Sequence, residues 1–231
     1  MKPQILCFVA AMAIGTSANT ALAATTQYFD FATFTSAVGP VKVLEDFDTG
    51  VGPAPGPFSA GVPVAFDELS ITYNDAPSSL QTVGVATPAQ IDAASGTSIN
   101  ATNQLSWGEE DQFSLGSPFD GDGPAITFTF DTALTAFGFD FSDSDSTDTY
   151  EITLGGETFL LDNASSTFIG FFGFVSDVAI SSFVLTQATT GGITETFALD
   201  NIVAPIPLPA SIVLLLAGLG GLGSLRRFKR S

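Results

Sequence analysis

The chain reads as all-β: an antiparallel β-sandwich with a short helix near its start. Three observations predict this. Apolar and polar residues alternate at period two, most plainly where Ile126, Phe128 and Phe130 interleave with Thr127 and Thr129. Turn-forming clusters recur about every 8–12 residues, the spacing of short antiparallel strands. Of the 22 Phe, all but Phe8 and Phe228 fall between residues 24 and 204. Each buried aromatic stabilises by about 1.5–3 kcal/mol, so this segment can build a core.

Taken in order, residues 28–38 (YFDFATFTSAV) predict a short amphipathic helix. Asp30 caps it, Phe31, Phe34 and Val38 share a face, and Gly39 stops it. Residues 41–47 form a first strand ending at Glu45, Asp46 and Asp48. Residues 50–61, with Pro53, Pro55 and Pro57, form a loop. Residues 62–66 and 69–73 read as a hairpin across Asp67-Glu68. The stretch 74–114 is polar and weakly periodic, with short strands expected at 80–85, around Ile91 and at 104–107. Residues 119–124 (FDGDGP) are a turn. Strands follow at 125–130 and 134–141, then a hairpin of 149–154 and 157–161 across Gly155-Gly156. Residues 168–175 (FIGFFGFV) are apolar nearly throughout and read as a central strand, and 180–186 and 194–203 complete the set. No internal repeat is evident.

Both ends carry a different signal. Lys2 is followed by an apolar run over 5–14 and by Ala21-Leu22-Ala23, a small-x-small cleavage site. That pattern is a signal peptide, cut between Ala23 and Ala24. At the other end, Ile206-Pro207-Leu208-Pro209-Ala210 precedes an uncharged stretch to residue 225, and Arg226, Arg227, Lys229 and Arg230 close the chain. About 20 uncharged residues can cross a bilayer as a helix, with the basic cluster held on the cytoplasmic side. The organisation is therefore 1–23 signal peptide, 24–204 exported body and 205–231 tail, with a transmembrane helix over 206–225 and a basic end over 226–230.

Composition narrows what the body can do. It contains neither Cys nor His, which excludes disulfides, Cys/His zinc sites and any triad with His as base. All 24 acidic residues lie in it, with Lys42 as its sole Lys or Arg. Such a surface repels nucleic acid and anionic lipid. Salt bridges cannot neutralise these carboxylates, so they are solvated, protonated or bound to metal. The sugar-binding candidate is Trp107 beside Glu109, an aromatic platform next to carboxylates; the alternative places Trp107 in the core. Asp143, Asp145 and Asp148 crowd one loop, yet Thr147 stands where an EF-hand needs Asp or Asn and no central Gly follows. Two carboxylates at glycosidase spacing are near-inevitable among 24, so they point to no catalytic pair, and an enzyme is not expected. Asn100-Ala101-Thr102 and Asn163-Ala164-Ser165 match the glycosylation sequon.

The tail resembles the VPLPA variant of PEP-CTERM sorting signals, which exosortase-type transpeptidases of Gram-negative bacteria recognise. Ile206 stands in place of the usual Val, and Pro207, Leu208, Pro209 and Ala210 match. The resemblance implies an exosortase-type transpeptidase as partner, tethering to the inner membrane before processing, and a final location at the cell surface or outside it. A looser similarity to ectodomains of such proteins rests on Gly170–Gly173 with Ser176-Asp177 (GFFG-x-x-SD) and on Leu199-Asp200-Asn201. It implies a jelly-roll-like sandwich and no catalytic residues. In jelly-roll carbohydrate-binding domains the first and last strands pair, and a structural Ca²⁺ often links them. On that architecture Glu45, Asp46, Asp48, Asp200 and Asn201 are candidate oxygen ligands for calcium. The expected function is a structural or interaction protein of the cell surface or matrix. The alternative is a carbohydrate-binding module for the producer's own exopolysaccharide.

Overall fold

A computed structural model describes residues 24–48, 52–74, 82–93, 97–108, 125–143, 150–161, 168–187 and 197–207. These build an antiparallel, mostly β fold. Its twelve strands are β1 (Thr25–Tyr28), β2 (Val41–Glu45), β3 (Gly56–Pro57), β4 (Val64–Ala65), β5 (Leu69–Asn74), β6 (Thr82–Ala86), β7 (Gln104–Gly108), β8 (Ala125–Asp143), β9 (Tyr150–Leu154), β10 (Glu157–Leu160), β11 (Phe168–Gln187) and β12 (Phe197–Pro205). Two helices are described, α1 (Phe31–Val38) and α2 (Pro88–Ala93).

The pair β8–β11 is the frame. Each strand is read in the sequence as two, but each runs unbroken through 19 and 20 residues respectively. Both bend at the same level. Residues 131–133 of β8 and 177–179 of β11 are exposed, and the register between the strands shifts on either side of Ile180. On one side of the bend, β8 pairs β5 and β11 pairs β9. On the other, β8 pairs β12 and β11 pairs β1. The far edge of β12 forks: residues 197–199 pair β7, and 202–205 pair β2. The first long strand and the last therefore lie side by side, with Ile202 opposite Glu45.

The bend brings the two halves face to face. Phe137 of one half stacks on Phe183 of the other at 4.8 Å, and Phe183 also stacks on Phe128 at 4.3 Å. Trp107, Tyr150, Phe141 and Phe197 close one end of this core, with ring centroids 5.2–6.0 Å apart where they meet. Such pairs add about 0.5–1.5 kcal/mol each beyond the area they bury.

The apolar run of β11 has two covered faces. Phe172 and Phe174 point into the main core, whereas Phe171 packs outside it with Phe34 of α1. A pair of glycines makes room there. Gly173 lies opposite Gly138. A Cβ on Gly173 would sit 2.6 Å from the Phe34 ring, and one on Gly138 would sit 2.3 Å from the Phe171 ring. Asp30 caps α1 by accepting from Thr33 N at 2.9 Å, and the Gly39 N–H closes it on Thr35 O.

Several local expectations are corrected. The first strand stops at Glu45, because Phe47 adopts φ of 56° and turns the chain. Ile91 lies on α2, not on a strand. Thr87 and Gln90 cap that helix reciprocally: Thr87 N donates to Gln90 Oε1 at 2.9 Å and Gln90 N to Thr87 Oγ1 at 3.4 Å. Pro205, read as the start of the tail, is the last residue of β12. Part of the predicted 50–61 loop pairs with β6 as β3. The expected hairpin forms over Tyr150–Leu154 and Glu157–Leu160, with Gly155 and Gly156 at φ of 56° and 91°. No helix among the described residues is long and apolar enough to cross a membrane, and the 208–225 part of the expected span lies outside them.

Candidate functional site: a buried carboxylate–amide network

The antiparallel pairing of β12 with β8 sets Asp200 opposite Asp140. Both are out of step with the core phenylalanines beside them, so they sit on the outer side of the sheet. The segment 97–103 covers Asp200 there: Ser142 Oγ donates to Thr97 O, and Ile99 packs on Ala198 and Ile91. Asp200 is 0 % exposed. Its Oδ2 accepts from Asn100 Nδ2 at 2.6 Å and its Oδ1 from Asn201 N at 2.7 Å. Asn201, in a left-handed conformation at φ of 50°, turns its Nδ2 to Asp140 Oδ2 at 2.9 Å. Gln104, fully buried, donates to Asn100 O and Oδ1 and to Thr102 O, and so fixes the Asn100 loop. The turn after β2 joins from the side, since Asp48 Oδ1 accepts from Asn103 N at 2.8 Å.

Burial dominates the electrostatics. It raises the Asp200 carboxyl from 3.8 to about 7, against the pull of the Asn201 N–H and the Asn100 amide. The negative charges of Asp140 and Asp48 push in the same direction as burial. Asp140 is also raised, by burial first, with the Asn201 amide opposing. Lys42, the body's lone cation, is committed elsewhere, to Glu68 at 2.6 Å. The network can therefore hold a proton near neutrality, and this is what its chemistry offers most directly.

The proposed calcium ligands fall into two groups. Asp48, Asp200 and Asn201 belong to the network. Glu45 and Asp46 bond within the turn after β2: Glu45 Oε1 accepts from Phe47 N at 2.6 Å, and Asp46 Oδ1 from Asp48 N at 3.1 Å. Glu45 is raised by burial above all, with Asp46 and Asp67 adding negative charge, and its Oε2 is buried without a hydrogen-bond partner. Among the described residues no group of three or more Asp, Glu, His or Cys is placed to hold a metal. The hydrogen bonds to the Asp200 and Asp140 carboxylates come from N–H groups of Asn100 and Asn201.

Sequence reasoning did not find Asn100, Gln104 or Asp140 as members of this network. Their separations of 60 to 100 residues from Asp200 leave no local signal. Trp107 is fully buried between Tyr150 and Phe197, its Nε1 without a partner. Neither face of the Trp107 ring is turned outward to a sugar. Glu109, Asp145, Asp148 and residues 119–124 lie outside the described residues, as do Ala21, Ala23, Leu208, Pro209 and Ala210. Ala24 donates its N–H to Asp177 Oδ1 at 3.0 Å. Ile206, half exposed, donates its N–H to Pro40 O at 2.9 Å, and Pro207 ends the described chain. A cleft of about 190 Å³ lies between β1, the β9–β10 turn and the bend of β11, lined by Thr25, Leu154, Ser176 and Ile180 among others.

No protein-family model matches the chain, and no curated protein matches it. Among solved structures it is similar to the catalytic domain of a GH87 alpha-1,3-glucanase variant in complex with tetrasaccharides. The TM-score is 0.30 and the identity 13 %, over 68 % of this chain and 30 % of that one.

Proposed function

We propose that the chain is an exported protein of a Gram-negative cell surface or extracellular matrix, with a jelly-roll-like sandwich body that serves a structural or interaction role. A signal peptide ending at Ala23 starts export. A PEP-CTERM-like tail, with its Ile206–Ala210 motif, transmembrane helix and basic end, holds the body at the inner membrane until an exosortase-type transpeptidase acts. The observation that carries this reading is the position of two strands: among the described residues the first begins at Thr25, one residue after Ala24, and β12 ends at Pro205, immediately before the Ile206–Ala210 motif. An acidic body without Cys or His, held by phenylalanine packing, suits an oxidising exterior.

The carbohydrate-binding alternative loses its main support with Trp107 inside the core, and no other observation favours it. Mass spectrometry of the mature protein from its native host is the test. The reading expects an N-terminus at Ala24 and a C-terminus altered within or near residues 206–210. A protein retained in the cytosol with Met1 and Ser231 both present would overturn it.

A further inference from the structure

We propose that Asp177 is the docking site for the α-ammonium group that export processing creates on Ala24, so that cleavage itself locks the first strand onto the body. The proposal rests on the reading of a cut after Ala23. It explains a motif that the sorting reading leaves unused, the Ser176-Asp177 pair that follows the GFFG strand.

The geometry is specific. β1 is a four-residue edge strand paired to β11, with Thr25 opposite Ser176. One step further, Ala24 and Asp177 continue the ladder: Asp177 N donates to Ala24 O at 3.3 Å, and Ala24 N donates to Asp177 Oδ1 at 3.0 Å. Asp177 lies at the exposed bend of β11, where the register with β8 shifts. Ser176, nearly buried, braces that bend by accepting from Val178 N at 3.2 Å. The carboxylate is thus aimed at the nitrogen that hydrolysis would free.

Hydrolysis of the Ala23–Ala24 amide consumes one water. The water oxygen ends on Ala23 as a carboxylate oxygen, and both its protons end on the Ala24 nitrogen. A neutral N–H donor becomes an ammonium, already within hydrogen-bond distance of Asp177. Charge-assisted hydrogen bonds of this kind are roughly twice as strong as neutral ones. The pair is exposed, so the gain is modest, but it falls on a short edge strand whose opening it opposes. Glu157, which starts β10 two residues after Gly155 of the cleft lining, serves as the acidic control.

The test uses the exported, processed chain, its N-terminal mass measured first. The α-amino pKa is then read by NMR after isotopic labelling of the N-terminus, in the wild type, Asp177→Asn and Glu157→Gln. A free α-amino group titrates at about 7.7–8.0. The wild type is expected at least about half a unit above Asp177→Asn, with Glu157→Gln like the wild type. Amide exchange over residues 25–28 is expected to be about two- to five-fold faster in Asp177→Asn and in an N-acetylated wild type, which keeps the donor but loses the charge. A terminus other than Ala24 overturns the cleavage reading and the proposal with it. A terminus at Ala24 with equal pKa values and equal exchange overturns the proposal alone.

Discussion

Replacing Asp200 by Asn tests the buried network directly. In the folded chain the Asp200 carboxyl titrates at about 7, against 3.8 for a solvated Asp. Below about pH 4 both folded and unfolded chains carry the proton, and the contribution to stability is complete. Between about pH 4 and pH 7 only the folded chain keeps it, so stability falls by about 1.4 kcal/mol per pH unit as pH rises. Above pH 7 both states are ionised and about 4 kcal/mol has gone. Asn at this position never ionises and escapes that loss. It turns one amide group toward a donor, Asn100 Nδ2 or Asn201 N, at a cost of about 1–2 kcal/mol. The two stability curves should therefore cross near pH 5. At pH 8 Asp200→Asn should be the more stable protein by about 2–3 kcal/mol, or roughly 4–12 °C in Tm for a body of this size. Asp140 and Glu45, also raised by burial, add pH dependence of the same sign to both proteins, so most of the difference comes from Asp200. Urea unfolding followed by fluorescence of the single Trp from pH 4.5 to 8.5 measures it. Parallel curves across that range would refute the argument that Asp200 is buried with a proton.

Three further outcomes follow from the same structure. Trp107→Ala should lose about 3–5 kcal/mol, since the ring is fully buried against Tyr150 and Phe197; Trp107→Phe should retain most of the stability in a urea titration followed by circular dichroism, and equal losses in both would contradict a packing role. Gly173→Ala should cost about 1–3 kcal/mol, because its Cβ would meet the Phe34 and Phe171 rings at 2.6 and 2.8 Å; exchange of the α1 amides should rise with it, and an unchanged melt would mean that α1 does not rest on this glycine. Millimolar Ca²⁺ should leave Tm unchanged at pH 6, because N–H groups face the Asp200 and Asp140 oxygens; a rise that disappears in Asp200→Ala would instead mean a cation held there with both Asn amides reversed.

The strands were legible because most of them show water on one face and core on the other. Period two in residues 125–130 and 137–141 marked the inward phenylalanines correctly. What was misread is the join between them. Asp131 and Thr132 look like a turn, and so do Ser176 and Asp177, because a turn and a bend in a continuous strand both face water. The distinction lies in the hydrogen bonds to the neighbouring strand, which no single segment contains. The result is two long bent strands in place of four short ones, and that bend is what folds the sheet over its own core. The helix α2 is a different case. Its Thr87-Pro88-Ala89-Gln90 start combines a capping pair with Pro at the first helical position, and that signal was present locally.

The site was legible only by half, for a physical reason. Pairing of the first long strand with the last put Asp48 near Asp200, as an architecture with adjoining ends requires. Which groups complete the cluster depends on a covering loop and on a strand 60 residues away. Asn100 looks like a sequon, and Asp140 like one acid in a run of acids, until register sets them beside Asp200. Their chemistry also changes on assembly. An exposed carboxylate is a solvated charge and a plausible calcium ligand, whereas the same group buried beneath two amide donors and short of cations is a proton acceptor. In a body whose single Lys pairs at the surface with Glu68, protons are the counterions within reach of a buried carboxylate. The network then ties β12, β8 and the loop before β7 together most tightly in mildly acid water, and loosens as the medium turns alkaline.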